Sequence, residues 1–82
     1  MFENRKLGDY NMDRQYVDSS MITSIGYDTD ACVLEVEFKS NGAIWQYPGF
    51  PEHLWYEFQA SESKGQFFHQ NIRGKFNEFR VG

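Results

Sequence analysis

Residues 32–39, Cys-Val-Leu-Glu-Val-Glu-Phe-Lys, mostly alternate apolar and polar side chains. A period of two predicts a half-buried β-strand with Cys32, Leu34, Val36 and Phe38 on one face. Asn41-Gly42 follows, the preferred pair for a two-residue type I′ hairpin because both central positions need positive φ. Ala43-Ile44-Trp45-Gln46-Tyr47 then returns as the partner strand. With that turn Phe38 opposes Trp45 and Val36 opposes Tyr47. Opposed residues project to the same side of a sheet, so both rings join the apolar face and Glu37 and Gln46 share the other. Upstream, residues 21–27 form a third strand candidate, closed by the turn-forming Asp28-Thr29-Asp30-Ala31. A four-residue loop there opposes Tyr27 to Cys32 and Ile25 to Leu34.

Beyond Tyr47 the period changes. Pro48-Gly49-Phe50-Pro51 breaks the strand, and Pro51 suits the first position of a helix, where a missing N–H costs nothing. Leu54, Trp55 and Phe58 make one helical stripe over residues 51–60. Ser63 and Gln66 are spaced as a capping box for a second helix. Phe68 and Ile72 supply its apolar stripe, and Gly74 its C-terminal cap. Gln66, His69, Gln70 and Arg73 fall on the opposite, wet face, and Phe76 and Phe79 are expected to fold back onto the core. The predicted fold is α+β: a three-stranded antiparallel meander with two C-terminal helices packed on one face.

Composition agrees with a single domain. The chain has 82 residues, 40% of them hydrophobic and 24% charged, a balance that favours folding over disorder. Eight Phe, five Tyr and two Trp give a core rich per residue, as a chain this short requires. Residues 1–16 are polar with balanced charge and read as a poorly ordered arm, with the domain over 17–82. No secretory signal or bilayer-spanning run is present, and the single cysteine forms no internal disulfide, so a reducing cytoplasm is the expected compartment.

Charge is unevenly spread about a net of −4. Residues 17–60 set one lysine against seven carboxylates, whereas residues 61–82 set four cations against two. The acidic run Asp28, Asp30, Glu35 and Glu37 lacks the glycine of a calcium-binding loop and reads as a solvated sheet face. His53 and Glu57 share a helical face, but no H-x-x-x-H or C-x-x-C spacing brings further ligands. No metal or other cofactor is expected. Cys32 is read as a buried, inert thiol. Trp45-Gln46-Tyr47 has the alternation of base-stacking sheets, although the hairpin register turns both rings toward the core, with Trp45 packed and the Tyr47 hydroxyl at an edge. No nucleophile–base–orienter set is legible, so a non-enzymatic protein is expected.

Taken together, Val17-Asp18-Ser19-Ser20, Ser24-Ile25-Gly26-Tyr27-Asp28, Leu34-Glu35-Val36-Glu37-Phe38, Gly42, Trp45-Gln46-Tyr47, Pro51, and Ser63-Lys64-Gly65-Gln66-Phe67-Phe68 with Ile72-Arg73 resemble the KTSC domain in order and spacing over about residues 17–77. That family is named for its place at the C-terminus of some lysyl-tRNA synthetases and also forms small stand-alone bacterial and phage proteins. The family pattern has Tyr-x-Tyr where this chain has Trp45-x-Tyr47, and often Asn where it has His69. The resemblance implies a largely uncharacterised binding module, with RNA suggested by the synthetase association. Lys64, Gln66, His69, Gln70, Arg73 and Lys75, around the last helix, are the residues expected to contact RNA through phosphates and base or ribose groups. The alternative is an adaptor or inhibitor whose acidic face meets a protein with a basic surface. The free hairpin edge leaves either a monomer or a weak homodimer.

Overall fold

The computed structural model describes residues 13–82. Its elements are β1 (Arg14–Tyr16), β2 (Ile22–Asp28), β3 (Val33–Phe38), β4 (Ile44–Pro48), α1 (Glu52–Ala60), α2 (Lys64–Asn71) and β5 (Phe79–Arg80). The strands pair antiparallel in sequence order, and both helices pack on one face of the sheet. The α+β meander with two C-terminal helices is therefore as the sequence predicts, extended by one short strand at each edge. Residues 1–12 of the expected arm lie outside the described residues. Arg14–Tyr16, also assigned to that arm, instead pair with Ser24–Gly26 of β2. The outer edge of β4, read as free for pairing, is occupied by β5. Among the described residues no helix is long and apolar enough to cross a membrane.

Both central hairpins are shifted by two residues from the expected register. Val36 opposes Trp45 and Leu34 opposes Tyr47, while Ile25 opposes Val36 and Tyr27 opposes Leu34. A shift of two keeps every side chain on its expected face, where a shift of one would invert them all. The turns explain the change. Only Gly42 of the Asn41-Gly42 pair has positive φ (71°), and Phe38 N–H donates to the Ala43 carbonyl at 2.9 Å, closing a four-residue loop rather than a two-residue one. At the other turn the Asp28 carboxylate accepts from the N–H groups of Asp30 and Ala31, at 3.0 and 3.1 Å, so Asp28 ends β2 instead of opening the loop. Cys32 is thereby expelled from the strand. It is exposed at φ 58°, in the left-handed region, and not on the buried face. An irregularity between Ile22 and Ser24 in β2 lets Ile22 and Ile25, three residues apart, both be fully buried.

The core joins Ile22, Ile25, Leu34, Val36 and Tyr47 of the sheet to Phe50, Phe58, Phe68 and Ile72. Full burial of such side chains stabilises by about 1.5–3 kcal/mol each before entropy is counted. Rings order the interface. Phe68 meets Phe38 and Tyr47 edge-on at centroid distances of 5.3 and 5.8 Å, and Trp55 stacks on Tyr27 at 5.5 Å. The expected ranking within the hairpin is reversed: Tyr47 is 1% exposed, whereas Trp45 is only half-buried beside the core. Phe76 packs on Phe50 at 5.0 Å, but Phe79 is 58% exposed on β5 and does not fold back.

Helix ends follow their sequence signals with one adjustment. Pro51 is the N-cap of α1 (φ −74°, ψ 145°), not its first helical residue. Ser63 caps α2 by accepting from the Gln66 N–H at 3.2 Å, and Gly74 takes positive φ (76°) just beyond the helix.

The second face of the sheet is not simply solvated. Glu35 is 3% exposed, ion-paired with Arg14 Nη1 and bonded by Gln46 Nε2 at 2.8 Å. Arg14 Nε also donates to Ser24 Oγ at 2.9 Å, and that hydroxyl donates to Glu37 at 2.7 Å. Arg14 reaches this position by crossing Gly26, where an added Cβ would lie 2.5 Å from the Asp13 carbonyl oxygen. Buried charge is tolerated when paired and hydrogen-bonded, and these contacts tie β1 to β2, β3 and β4.

Candidate nucleotide-binding cleft

Trp45 packs against the core but is only half-buried. An open cleft of about 340 Å³ results. Met21, Phe38, Trp45, Tyr47 and Phe68 make its apolar walls, Ser40 and Asn41 of the β3–β4 loop its rim, and Arg73 and Glu78 bring opposite charges. Arg73 follows α2 and Glu78 immediately precedes β5. Pairing of β5 with Trp45 and Gln46 therefore holds the Glu78 segment over the hairpin.

The cleft couples a buried phenol to these charges. Burial first, and then the negative charge of the neighbouring Glu78, push the phenol well above its ordinary pKa of 10.0. Arg73 acts in the opposite direction. The Tyr47 phenol is thus buried near Glu78 rather than kept at an open edge. Arg73 Nη1 lies 3.1 Å from His69 Nδ1, which orients the guanidinium along the outer side of α2.

The six residues expected around the last helix do not share one site. Arg73 lines the aromatic cleft. Lys64, Gln66 and His69 line a separate open groove of about 560 Å³ between the start of α2 and the β1–β2 loop, together with Asp18, Ser19, Ser20 and Glu62. Gln70 and Lys75 are exposed and line neither depression. Lys64 has a structural task, since its Nζ donates to the Ser61 carbonyl just past α1. The His69–Arg73 contact joins the two depressions across the helix.

His53 and Glu57 are exposed on α1 and contribute to neither depression. Among the described residues no group of three or more His, Cys, Asp or Glu side chains is placed to hold a metal. Sequence reasoning placed Phe38 on the same face as Trp45 but missed Phe68 and Glu78 as its companions. The Trp45-x-Tyr47 alternation was its one usable signal, and nothing local marks Glu78.

The family model described as the KTSC domain matches residues 18–76. An uncharacterised protein of Stutzerimonas stutzeri (strain A1501) is 37% identical over 59 residues, covering 72% of this chain and 82% of that protein. A lysine–tRNA ligase of Trichormus variabilis (strain ATCC 29413 / PCC 7937) is 36% identical over 59 residues; the match covers 72% of this chain but only 10% of the ligase. The crystal structure of a KTSC domain protein from Yersinia pestis superposes with a TM-score of 0.83 at 46% identity, covering 88% of this chain and 100% of that one. Sequence and fold agree over the same segment that carries Trp45, Tyr47 and Arg73, and the chain belongs to the KTSC domain family.

Proposed function

We propose that this domain is a non-catalytic module that binds single-stranded RNA by taking one base into the aromatic cleft, with Arg73 on an adjoining phosphate. The observation that carries this reading is the half-buried Trp45 in a concave site with a guanidinium at its lip. At about 340 Å³ the cleft is at the small end of the usual range for ligand sites, roughly 300–1,000 Å³, which suits one nucleotide better than a peptide segment. An aromatic wall accepts any base face, worth about 1–3 kcal/mol per stacked base. One relative is a protein named for a tRNA, which is consistent with an RNA ligand. The acidic-face alternative loses ground because Glu35 and Glu37, two of the seven carboxylates in residues 17–60, are engaged by Arg14, Gln46 and Ser24.

Binding should be weak and only mildly salt-dependent. With one or two phosphates engaged, log affinity falls against log salt with a slope of about −0.7 to −1.4. Titration of fluorescently labelled single-stranded oligonucleotides tests this. Trp45→Ala should weaken binding roughly 5- to 150-fold, the equivalent of the stacking energy. Arg73→Gln should flatten the salt slope by about 0.7, and Lys75→Ala, outside the cleft, should leave both unchanged. Absence of binding at low salt by protein that circular dichroism shows to be folded refutes the reading.

A further inference from the structure

A carboxylate in a site for a polyanion repels its ligand unless the ligand brings donors to it. Glu78 stands in the cleft with Trp45 and Tyr47. Among the described residues the polar side-chain contact of Arg73 is to His69, not to Glu78. An ionised carboxylate has two oxygens and about four lone-pair directions. Glu78 lines the cleft with Trp45, so this acceptor capacity borders the space a stacked base would fill.

The four RNA bases differ in what they can give such a group. Guanine carries two adjacent donors, N1–H and the N2 amino group, on its Watson–Crick edge. Adenine and cytosine each place one amino donor beside an acceptor nitrogen, and uracil has one N–H between two carbonyls. Only guanine meets a carboxylate with two parallel hydrogen bonds and no opposing lone pair.

We infer that the cleft selects guanine, with Glu78 accepting from N1–H and the N2 amino group while Trp45 stacks on the ring. The inference rests on the base-in-cleft reading above and adds the identity of the base. Because the cleft is open to water, discrimination should fall at the lower end of what a bidentate contact gives, roughly 5- to 20-fold.

The test uses the full chain and short uridine oligomers carrying one central guanosine, inosine, adenosine or cytidine, beside the all-uridine oligomer. Guanosine should bind roughly 5- to 20-fold more tightly than adenosine, cytidine or uridine, and inosine, which keeps N1–H but lacks the amino group, should fall between. Glu78→Gln keeps one acceptor oxygen but replaces the other with a donor amide. It should abolish the guanosine preference while adenosine or cytidine affinity holds or rises. Equal affinity for all oligomers, still dependent on Trp45 and Arg73, overturns guanine selection and leaves base binding standing. No binding to any oligomer overturns both. A guanosine preference that survives Glu78→Gln, or inosine binding as tightly as guanosine in the wild-type protein, also overturns the assignment to Glu78; the inosine comparison needs no variant to fold.

Discussion

Arg14→Ala offers the sharpest test of how the sheet is held, because it strands a buried charge. The Glu35 side chain is 4% exposed and that of Arg14 is 23% exposed, so the pair is largely out of water. Removing one partner of a buried ion pair costs about 3–5 kcal/mol, most of it the desolvation of the charge left behind. Two features moderate the loss. Gln46 Nε2 still donates to Glu35 Oε1 at 2.8 Å, a bond to a charged acceptor worth about 1.5–3 kcal/mol. Truncation of Arg14 also opens a path for water to the other oxygen. The expected loss is therefore near the lower bound, about 3 kcal/mol. A domain of 82 residues commands roughly 4–12 kcal/mol in all, so the melting temperature should fall by about 12–24 °C. Urea and thermal unfolding followed by circular dichroism measure both quantities. Arg14→Met combined with Glu35→Leu should recover most of the loss, since an apolar pair leaves no charge to solvate. A loss below about 1 kcal/mol for Arg14→Ala would mean that the pair behaves as an exposed surface bridge, and the account of this face would be wrong.

Two further outcomes follow from the placement of the aromatics. Tyr47→Ala, at a 1% exposed position, should cost about 3–5 kcal/mol and leave the domain largely unfolded, whereas Trp45→Phe should shift the urea midpoint little; the reverse order would return Trp45 to the core. Alkaline titration should show two core-packed late phenols beside the exposed Tyr56, which its hydrogen bond to Glu52 also raises: burial, followed by the Cys32 thiol, Glu52 and Asp28, pushes Tyr27 up to about 12, and burial with Glu78 raises Tyr47 as well. A phenol whose pKa is higher folded than unfolded gives stabilisation that is intact below pH about 10 and lost as pH climbs through its folded value. Phenolate absorbance should therefore lag for these two until unfolding near pH 12, and titration of all five tyrosines near pH 10 in the folded protein would refute it.

The apolar alternation of residues 32–39 and the stripes of Leu54, Trp55, Phe58, Phe68 and Ile72 were enough to identify strand, helix and core-facing side. Each depends on a local period that a rigid backbone converts directly into a face. Ser63 capping α2 and Gly74 ending it were legible for the same reason: cap chemistry acts within one turn. Register was not legible, because it hinged on which of two neighbouring residues begins each turn. The Asp28 carboxylate and the conformation of Asn41 decided that, by contacts that only the folded hairpin displays. The same two-residue shift turned Cys32 outward, an outcome the strand pattern could not foresee. The extra strands β1 and β5 have three and two residues, too short for any periodicity to register, and exist because β2 and β4 offer them an edge. Burial of Glu35 and the meeting of Trp45, Arg73 and Glu78 belong to the same class. Each assembles residues from separate elements, joined by distance in space and not in the chain. The sequence alone determined the apolar periods that give each element a core-facing side; the tertiary structure decided which side chains were sealed, exposing Cys32 and Phe79, burying Glu35 and leaving Trp45 half-covered, because cover comes from elements distant in the chain.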